Sequence, residues 1–207
     1  MIKNTTIKAV TFDVGNVLVR WDPRNAYAPL FQNKSDLDHF LNNICSLEWH
    51  TNHDRGMSFA DNIRVRQKKF PEHAPMIGLY ESIWDDMFGG IIEETVTLLH
   101  QLHAQNIPLF ALTNFPAGKY DDFQEKYDFT ALFQDAIVSG VEKITKPDPR
   151  LYQILLDRAG IPPEHILFID DRLENLKPAE ELGLQTHHFV GADNLKEFLQ
   201  KNNILSC

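Results

Sequence analysis

Short runs of β-branched and aromatic residues recur along this chain, and three of them stop at side chains suited to chemistry. The run 7–12 leads into Asp13, 107–112 into Thr113-Asn114, and 165–169 into Asp170-Asp171. Residues 136–138 and 186–190 are two further runs of strand length. Side chains of these types pack well on a pleated surface, so each run is expected to be a strand. Helical patterns fill the intervals. After Gly90, the residues Ile92, Val96, Leu99 and His103 share one helical face. Asp148 and Pro149 suit an N-cap and first turn ahead of Leu151, Ile154 and Leu155, with Gly160 as the stop. A helix over 174–182 ends at Gly183, and Asp193 is placed to cap a last one striped by Leu195, Phe198 and Leu199. Strands alternating with helices predict parallel pairing through right-handed crossovers: an α/β core with a Rossmann-like parallel sheet covered on both faces. Ligands in such sheets collect beyond the carboxyl ends of the strands. The polar residues at those ends are therefore expected to converge on one crevice.

From about Trp21 to Phe88 the alternation stops. No strand is expected there, only short helices near 26–31, 36–44, 58–69 and 80–87. A crossover needs little more than a dozen residues, and this stretch is several times longer. It is expected to be an inserted α-helical cap at about 20–89, with Gly89-Gly90 as a flexible hinge and a core made of 1–19 and 90–207. The whole length, 207 residues, suits one domain with such an insertion.

Charge narrows the partners. With 20 Lys and Arg against 29 Asp and Glu, the formal charge is −9. That field repels nucleic-acid backbones and anionic lipid, so neither nucleic acid nor membrane is expected as a partner. A small anionic substrate stays compatible, because a local lysine or metal ion overrides the mean field. Cys45 and Cys207 give no disulfide framework, which points to a reducing cytoplasm. Residues 1–6 have no apolar targeting core, and runs such as 108–112 fall far short of the ~20 residues of a spanning helix.

The strand-end residues form a chemical set. A carboxylate such as Asp13 can attack phosphorus and form an acyl phosphate that water then cleaves. Mg²⁺ takes hard oxygen ligands and bridges to phosphate, and Asp13, the Gly15 carbonyl and one of Asp170-Asp171 could supply them. Setting Asp13 beside an anionic phosphate needs positive charge, which Mg²⁺ and Lys146 can provide. The Thr113 hydroxyl and Asn114 backbone N–H suit a phosphoryl oxygen. Taken singly, each has a plainer use: Asp13 capping a turn, the acidic pair stabilising a helix dipole, Lys146 in a solvated loop.

Four segments in order carry a likeness: Thr11-Phe12-Asp13-Val14-Gly15-Asn16-Val17-Leu18, Ala111-Leu112-Thr113-Asn114, Lys146-Pro147-Asp148-Pro149 and Phe168-Ile169-Asp170-Asp171-Arg172-Leu173-Glu174-Asn175. Together they resemble the haloacid dehalogenase superfamily, in its phosphatase-like branch with a helical cap after the first strand, over essentially the whole chain. The resemblance implies Asp13 as nucleophile, Thr113 and Asn114 holding the phosphoryl group, and Lys146 neutralising it. It implies Asp171 as a direct Mg²⁺ ligand, with Asp170 ligating directly or through water. True haloacid dehalogenases need no metal and have small polar residues where this chain has Asp170-Asp171. One departure stands out: most phosphatases of the superfamily carry a second aspartate, the general acid and base, at the position of Gly15. Some sugar-phosphate phosphatases show a similar Asp-x-Gly-Asn pattern.

The expected function is a Mg²⁺-dependent phosphomonoesterase acting on a small phosphorylated metabolite, sugar phosphates first. The alternatives are a 2-haloacid dehalogenase, or a ligand-binding or regulatory protein that kept the site and lost turnover. If the cap supplies the missing proton donor, His53 or Asp54 is the candidate. His50 with His53, and His100 with His103, are expected to be surface or packing residues, and the Asp54-Arg55-Gly56 turn with Trp49 either lines the cap or is structural.

Overall fold

The computed structural model describes residues 6–206, so the N-terminal residues 1–5 and Cys207 lie outside it. Five strands, β1 (Ala9–Phe12), β4 (Leu109–Thr113), β5 (Asp135–Val138), β6 (Ile166–Asp170) and β7 (Gln185–His188), form one sheet in the order β5-β4-β1-β6-β7. Every pairing in it is parallel, with Phe12 opposite Ala111 on one side and Ile169 on the other. Successive side chains leave a strand on opposite faces, and the core divides accordingly. Val10 and Phe12 pack with Leu99, Leu102 and Leu109, while Ala9 packs with Phe110, Leu112, Leu151, Leu155, Ile166 and Phe168. Helices α6 (Glu93–Ala104), α9 (Pro149–Ala159), α10 (Leu173–Glu181) and α11 (Ala192–Lys201) provide the covering layers, and α7 (Ala117–Lys126) and the short α8 (Ser139–Glu142) follow β4 and β5. The expected caps hold at α9, where Asp148 accepts from the Arg150 N–H at 3.0 Å and Gly160 stops the helix at φ 62°. Two details differ. His103 is exposed, and the buried stripe of α6 is Thr95, Val96, Leu98, Leu99 and Leu102. Asp193 sits inside the first turn of α11, behind Gly191.

Between β2 (Val19–Trp21) and β3 (Phe88–Ile91) the chain is helical: α1 (Pro23–Tyr27), α2 (Lys34–His39), α3 (Leu47–Asp54), α4 (Phe59–Lys69) and α5 (Ala74–Gly78), with shorter turns. β2 and β3 pair antiparallel, Val19 with Ile91 and Trp21 with Phe88, with a bulge between. Gly89 and Gly90 therefore stand inside a strand and not in a free loop. Glycine signals no strand by itself; this one forms because β2 gives it a partner. Only Asp85–Met87 is helical in the segment expected as a helix over 80–87. Conversely, α3 was expected only as far as a turn at 54–56, because Leu-Glu-Trp-His-Thr-Asn-His-Asp shows no apolar stripe. The Ser46 hydroxyl, accepting from the Trp49 N–H at 3.3 Å, starts it.

Among the described residues, no helix is long and apolar enough to cross a membrane.

Candidate active site

The three central strands, β4, β1 and β6, end side by side, and their termini meet as expected. Asp13 follows β1, Thr113 closes β4 and Asp170 closes β6. Lys146 arrives from the loop before α9 and is 4% exposed, deep enough that its ammonium must be paired. Its Nζ donates to Asp170 Oδ2 at 2.7 Å and to the Leu112 carbonyl at 2.9 Å, and lies 2.9 Å from Asp13 Oδ1. Asp170 is wholly buried and spent on this scaffold. Its Oδ1 accepts from the Arg172 N–H at 2.8 Å and from Asn175 Nδ2 at 2.9 Å, while Asn175 also reaches Oδ2 at 3.1 Å. Asn175, whose role no sequence pattern announces, is what holds Asp170 in place.

Asn114 does more than offer its backbone. Its side chain accepts from the Lys146 N–H at 2.8 Å and donates to the Lys146 carbonyl at 3.2 Å, tying the end of β4 to the lysine loop. Asn114 lies on the cavity wall; Thr113, 1% exposed, does not. The turn after Asn114 is fixed from β5: Ser139 Oγ accepts from the Phe115 N–H at 2.9 Å, and a side chain at Gly140 would press within 2.3 Å of the Ala117 nitrogen. Only glycine permits that approach.

Charge in this site is unbalanced. Asp13, Asp170 and Asp171 each place a carboxylate oxygen within 4.8 Å of the others. Burial holds the Asp13 carboxyl well above the usual carboxylate range; Lys146 opposes this and Asp170 reinforces it. Asp171 is likewise raised, by burial and then by Asp170. Burial pulls Lys146 down, but Asp13 and Asp170 outweigh it and hold the ammonium above its ordinary value. With all three ionised, three carboxylates against one ammonium leave two negative charges uncompensated, and all the donors are hard oxygens. That set fits Mg²⁺. Asp13, Asp171 and the Gly15 carbonyl would hold it.

Facing these groups is a cavity of about 440 Å³, the size of a small-molecule site. Asp13, Gly15, Lys146 and Asp171 form its floor, and Trp21, Leu47, Trp84, Phe88, Phe115 and Pro116 form apolar walls. No single run of residues announces those walls, because they come from β2, α3, the 80–88 segment and the loop after β4. His50 and Asp54 also line the cavity, whereas His53 is fully buried, its ring stacked 4.2 Å from Phe59 and 5.8 Å from Tyr80. Trp49 is buried away from the wall. His187 and His188 share no site: the first packs 4.3 Å from Phe198, and the second meets the Asp171 carbonyl at 3.0 Å.

The parallel sheet thus gathers carboxylates at adjoining strand ends around one shared, buried lysine. The sequence profile of the haloacid dehalogenase-like hydrolases matches residues 7–183, and the chain belongs to that family. It is 26% identical to a sesquiterpene phosphatase of Aspergillus oryzae across 98% of this chain and 99% of the relative. It is 33% identical to a flavin mononucleotide hydrolase of Arabidopsis thaliana, over 49% of this chain and 41% of that protein. A family enzyme from Bacteroides thetaiotaomicron, solved in complex with magnesium and inorganic phosphate, shares the fold at a TM-score of 0.68 and 21% identity, covering 87% and 93% of the two chains.

Proposed function

We propose that this hydrolase is a Mg²⁺-dependent phosphomonoesterase working through an aspartyl phosphate on Asp13, with the helical insertion at about 20–89 acting as a cap over the site. The observation that carries the reading is the single buried ammonium of Lys146 shared between Asp13 and Asp170, in a site that still holds an excess of two negative charges. Such a site calls for a divalent cation, and a phosphoryl group is the substrate whose charge a lysine and a divalent cation together neutralise. Displacing halide from a 2-haloacid brings one negative charge and gives no use for the acidic excess.

The chain's own groups then divide the work. Asp13 Oδ1 is occupied by the Val14 N–H at 2.7 Å and by Lys146, which leaves Oδ2 outside the hydrogen bonds of the described residues and available to attack phosphorus. Lys146 screens the approach of two anions. Asn114 and Asn175 hold Lys146 and Asp170 so that neither needs to reorganise during the reaction. Mg²⁺, when bound by Asp13, Asp171 and the Gly15 carbonyl, supplies the remaining positive charge for the phosphoryl oxygens.

The walls favour a phosphate ester with an apolar or aromatic body over a sugar phosphate. Two of the polar groups there are already engaged: Thr51 donates to the Leu47 carbonyl at 2.8 Å and Asn16 Oδ1 accepts from the Trp21 N–H at 3.0 Å. A body rich in hydroxyls would find few partners and lose hydration. The names of the Aspergillus and Arabidopsis relatives, a sesquiterpene phosphatase and a flavin mononucleotide hydrolase, support the same direction.

The test is a panel of aryl, prenyl, nucleotide and sugar phosphates assayed with and without Mg²⁺, alongside halide release from 2-haloacids, for the parent protein and Asp13→Asn. The expected result is Mg²⁺-dependent phosphate release, fastest with apolar esters, falling at least ~10⁴-fold in a folded Asp13→Asn protein. Halide release without phosphate release would replace the reading with a dehalogenase. Turnover that survives Asp13→Asn would remove the covalent intermediate.

A further inference from the structure

Gly15 leaves the strand-end site without a proton donor. Nothing within 4 Å would meet a Cβ built there, so space is not why a carboxylate is missing. The leaving alkoxide of an ordinary ester still needs a proton, and a positioned acid contributes roughly 10²–10⁴-fold. The groups that can supply it must line the same cavity as Asp13 and must not already be consumed by packing.

One pair meets both conditions. His50 and Asp54 lie four residues apart on α3, on one helical face, and both line the cavity; they are 7% and 4% exposed. His50 Nδ1 is 3.0 Å from the Tyr80 hydroxyl, and burial keeps that phenol protonated, so it can donate to Nδ1. This arrangement assigns the imidazole hydrogen to Nε2, which lies 3.3 Å from Asp54 Oδ1. That contact does not amount to a hydrogen bond, and Asp54 Oδ1 is a buried oxygen with no hydrogen-bond partner among the described residues. Buried carboxylate oxygens rarely go unpaired, and those that do invite a functional explanation. The end of α3 is also docked on the catalytic loop. Arg55 Nε sits 3.4 Å from Thr145 Oγ1, beside Lys146, and a Cβ at Gly56 would lie 3.0 Å from the Gly140 carbonyl. His53, the other candidate, is outside the cavity, and its Nε2 is engaged by Asn62 at 3.0 Å.

We propose that the Asp54–His50 pair of the insertion is the general acid and base of this enzyme, standing in for the carboxylate that Gly15 lacks. In its acid form the pair carries one proton on the Asp54 carboxyl beside the Nε2–H imidazole of His50, and in its base form Asp54 is a carboxylate next to that N–H. In the first step Asp13 forms a bond to phosphorus, the ester P–O bond breaks, and the proton passes from the pair to the leaving oxygen to give the free alcohol. In the second the pair takes a proton from water, the water oxygen bonds to phosphorus, the Asp13–phosphorus linkage breaks, and inorganic phosphate leaves with the pair reprotonated. Tyr80 is a positioning residue that fixes the His50 tautomer.

The assignment rests on the phosphomonoesterase reading, and the experiment separates the two. Release of 4-nitrophenol in the first turnover of 4-nitrophenyl phosphate, whose leaving group needs no proton, is compared with first-turnover alcohol release from an alkyl phosphate of similar size, with Mg²⁺, for the parent protein, Asp54→Asn and His50→Gln. Each variant is expected to lose 10²-fold or more in that rate on the alkyl ester and less than 10-fold on the nitrophenyl ester, while steady-state nitrophenyl turnover falls as well because the second step has lost its base. Tyr80→Phe should show the same split, more weakly. A retained first turnover of the nitrophenyl ester also demonstrates that each variant is folded. Equal first-turnover losses on both esters, or no loss on either, in both variants would overturn the acid–base assignment while leaving the phosphatase intact. A parent protein that hydrolyses neither ester would overturn the phosphatase reading itself.

Discussion

The floor of the cavity and its helical wall solve the problem of buried polar groups in opposite ways. On the floor, Lys146, Asp170, Asn114 and Asn175 are joined in a closed set of hydrogen bonds, with every partner within 3.2 Å. The wall is held instead by aromatic contacts: His50 stacks on Trp84 at 5.5 Å, Trp84 meets Phe88 and Phe115 at 6.0 Å each, and Trp49 meets Tyr80 edge-on at 4.6 Å. Among the described residues, Trp21 Nε1 and Asp54 Oδ1 on the wall, and Trp49 Nε1 and His53 Nδ1 packed behind it, are buried without hydrogen bonds. Charges that must stay fixed are best fully paired, since pre-organisation avoids reorganisation. Aromatic packing gives the wall a cohesion that is non-directional.

If that contrast is right, the floor should fail sharply when one partner is removed. Lys146→Met leaves Asp13 and Asp170 buried with no counter-charge, which costs about 3–5 kcal/mol. Thermal unfolding should show the loss, and added Mg²⁺ should recover part of it in the variant. A variant as stable as the parent protein in chelator would mean that Lys146 is not what holds the floor carboxylates together.

The packing behind the wall should instead weaken with acid. Burial pushes the His53 imidazole down to about 4, below its ordinary value near 6.5, with His50 adding to the shift. A folded state that binds this proton less readily than the unfolded chain loses stability as pH falls. The contribution is fully present above pH ~6.5 and declines from there to about 4, by at most about 3 kcal/mol. His187, lowered in the same way in the core, adds a parallel slope. The measurement is therefore the difference between the parent protein and His53→Gln across that range, and identical slopes would remove His53 from the account.

Gly15→Asp sharpens the division of labour between floor and wall. With open space at that position, the new carboxylate should raise alkyl-ester turnover of Asp54→Asn by about 10-fold or more. No gain in a folded double variant would show that the floor cannot carry the proton. The smallest effect is expected where floor and wall join: Gly90 has φ 87°, so Gly90→Ala should cost about 1 kcal/mol through backbone strain alone. Unchanged stability there would mean that the β2–β3 ribbon relaxes, as a hinge would.

The sequence revealed the floor readily and the wall poorly, for a physical reason. Asp13, Thr113 and Asp170-Asp171 end runs whose composition already demands strands, and a parallel sheet aligns strand ends whatever the loops do. Their convergence follows from period and topology. Lys146 belongs to the same logic, although its salt bridges to both Asp13 and Asp170 needed the structure. The wall has no such rule. His50 and Asp54 are four apart, a spacing with meaning only on a helix, and α3 carries no apolar stripe to announce one. Trp84 and Phe88 flank a stretch that turns instead of coiling, and Gly89-Gly90 became a strand through pairing with β2. Local pattern determined which carboxylates meet, because the backbone's own hydrogen bonds enforce that meeting. Tertiary packing alone decided which aromatic rings enclose them and which buried oxygen is left without a partner, because dispersion and apolar burial are non-directional and leave no period in the chain.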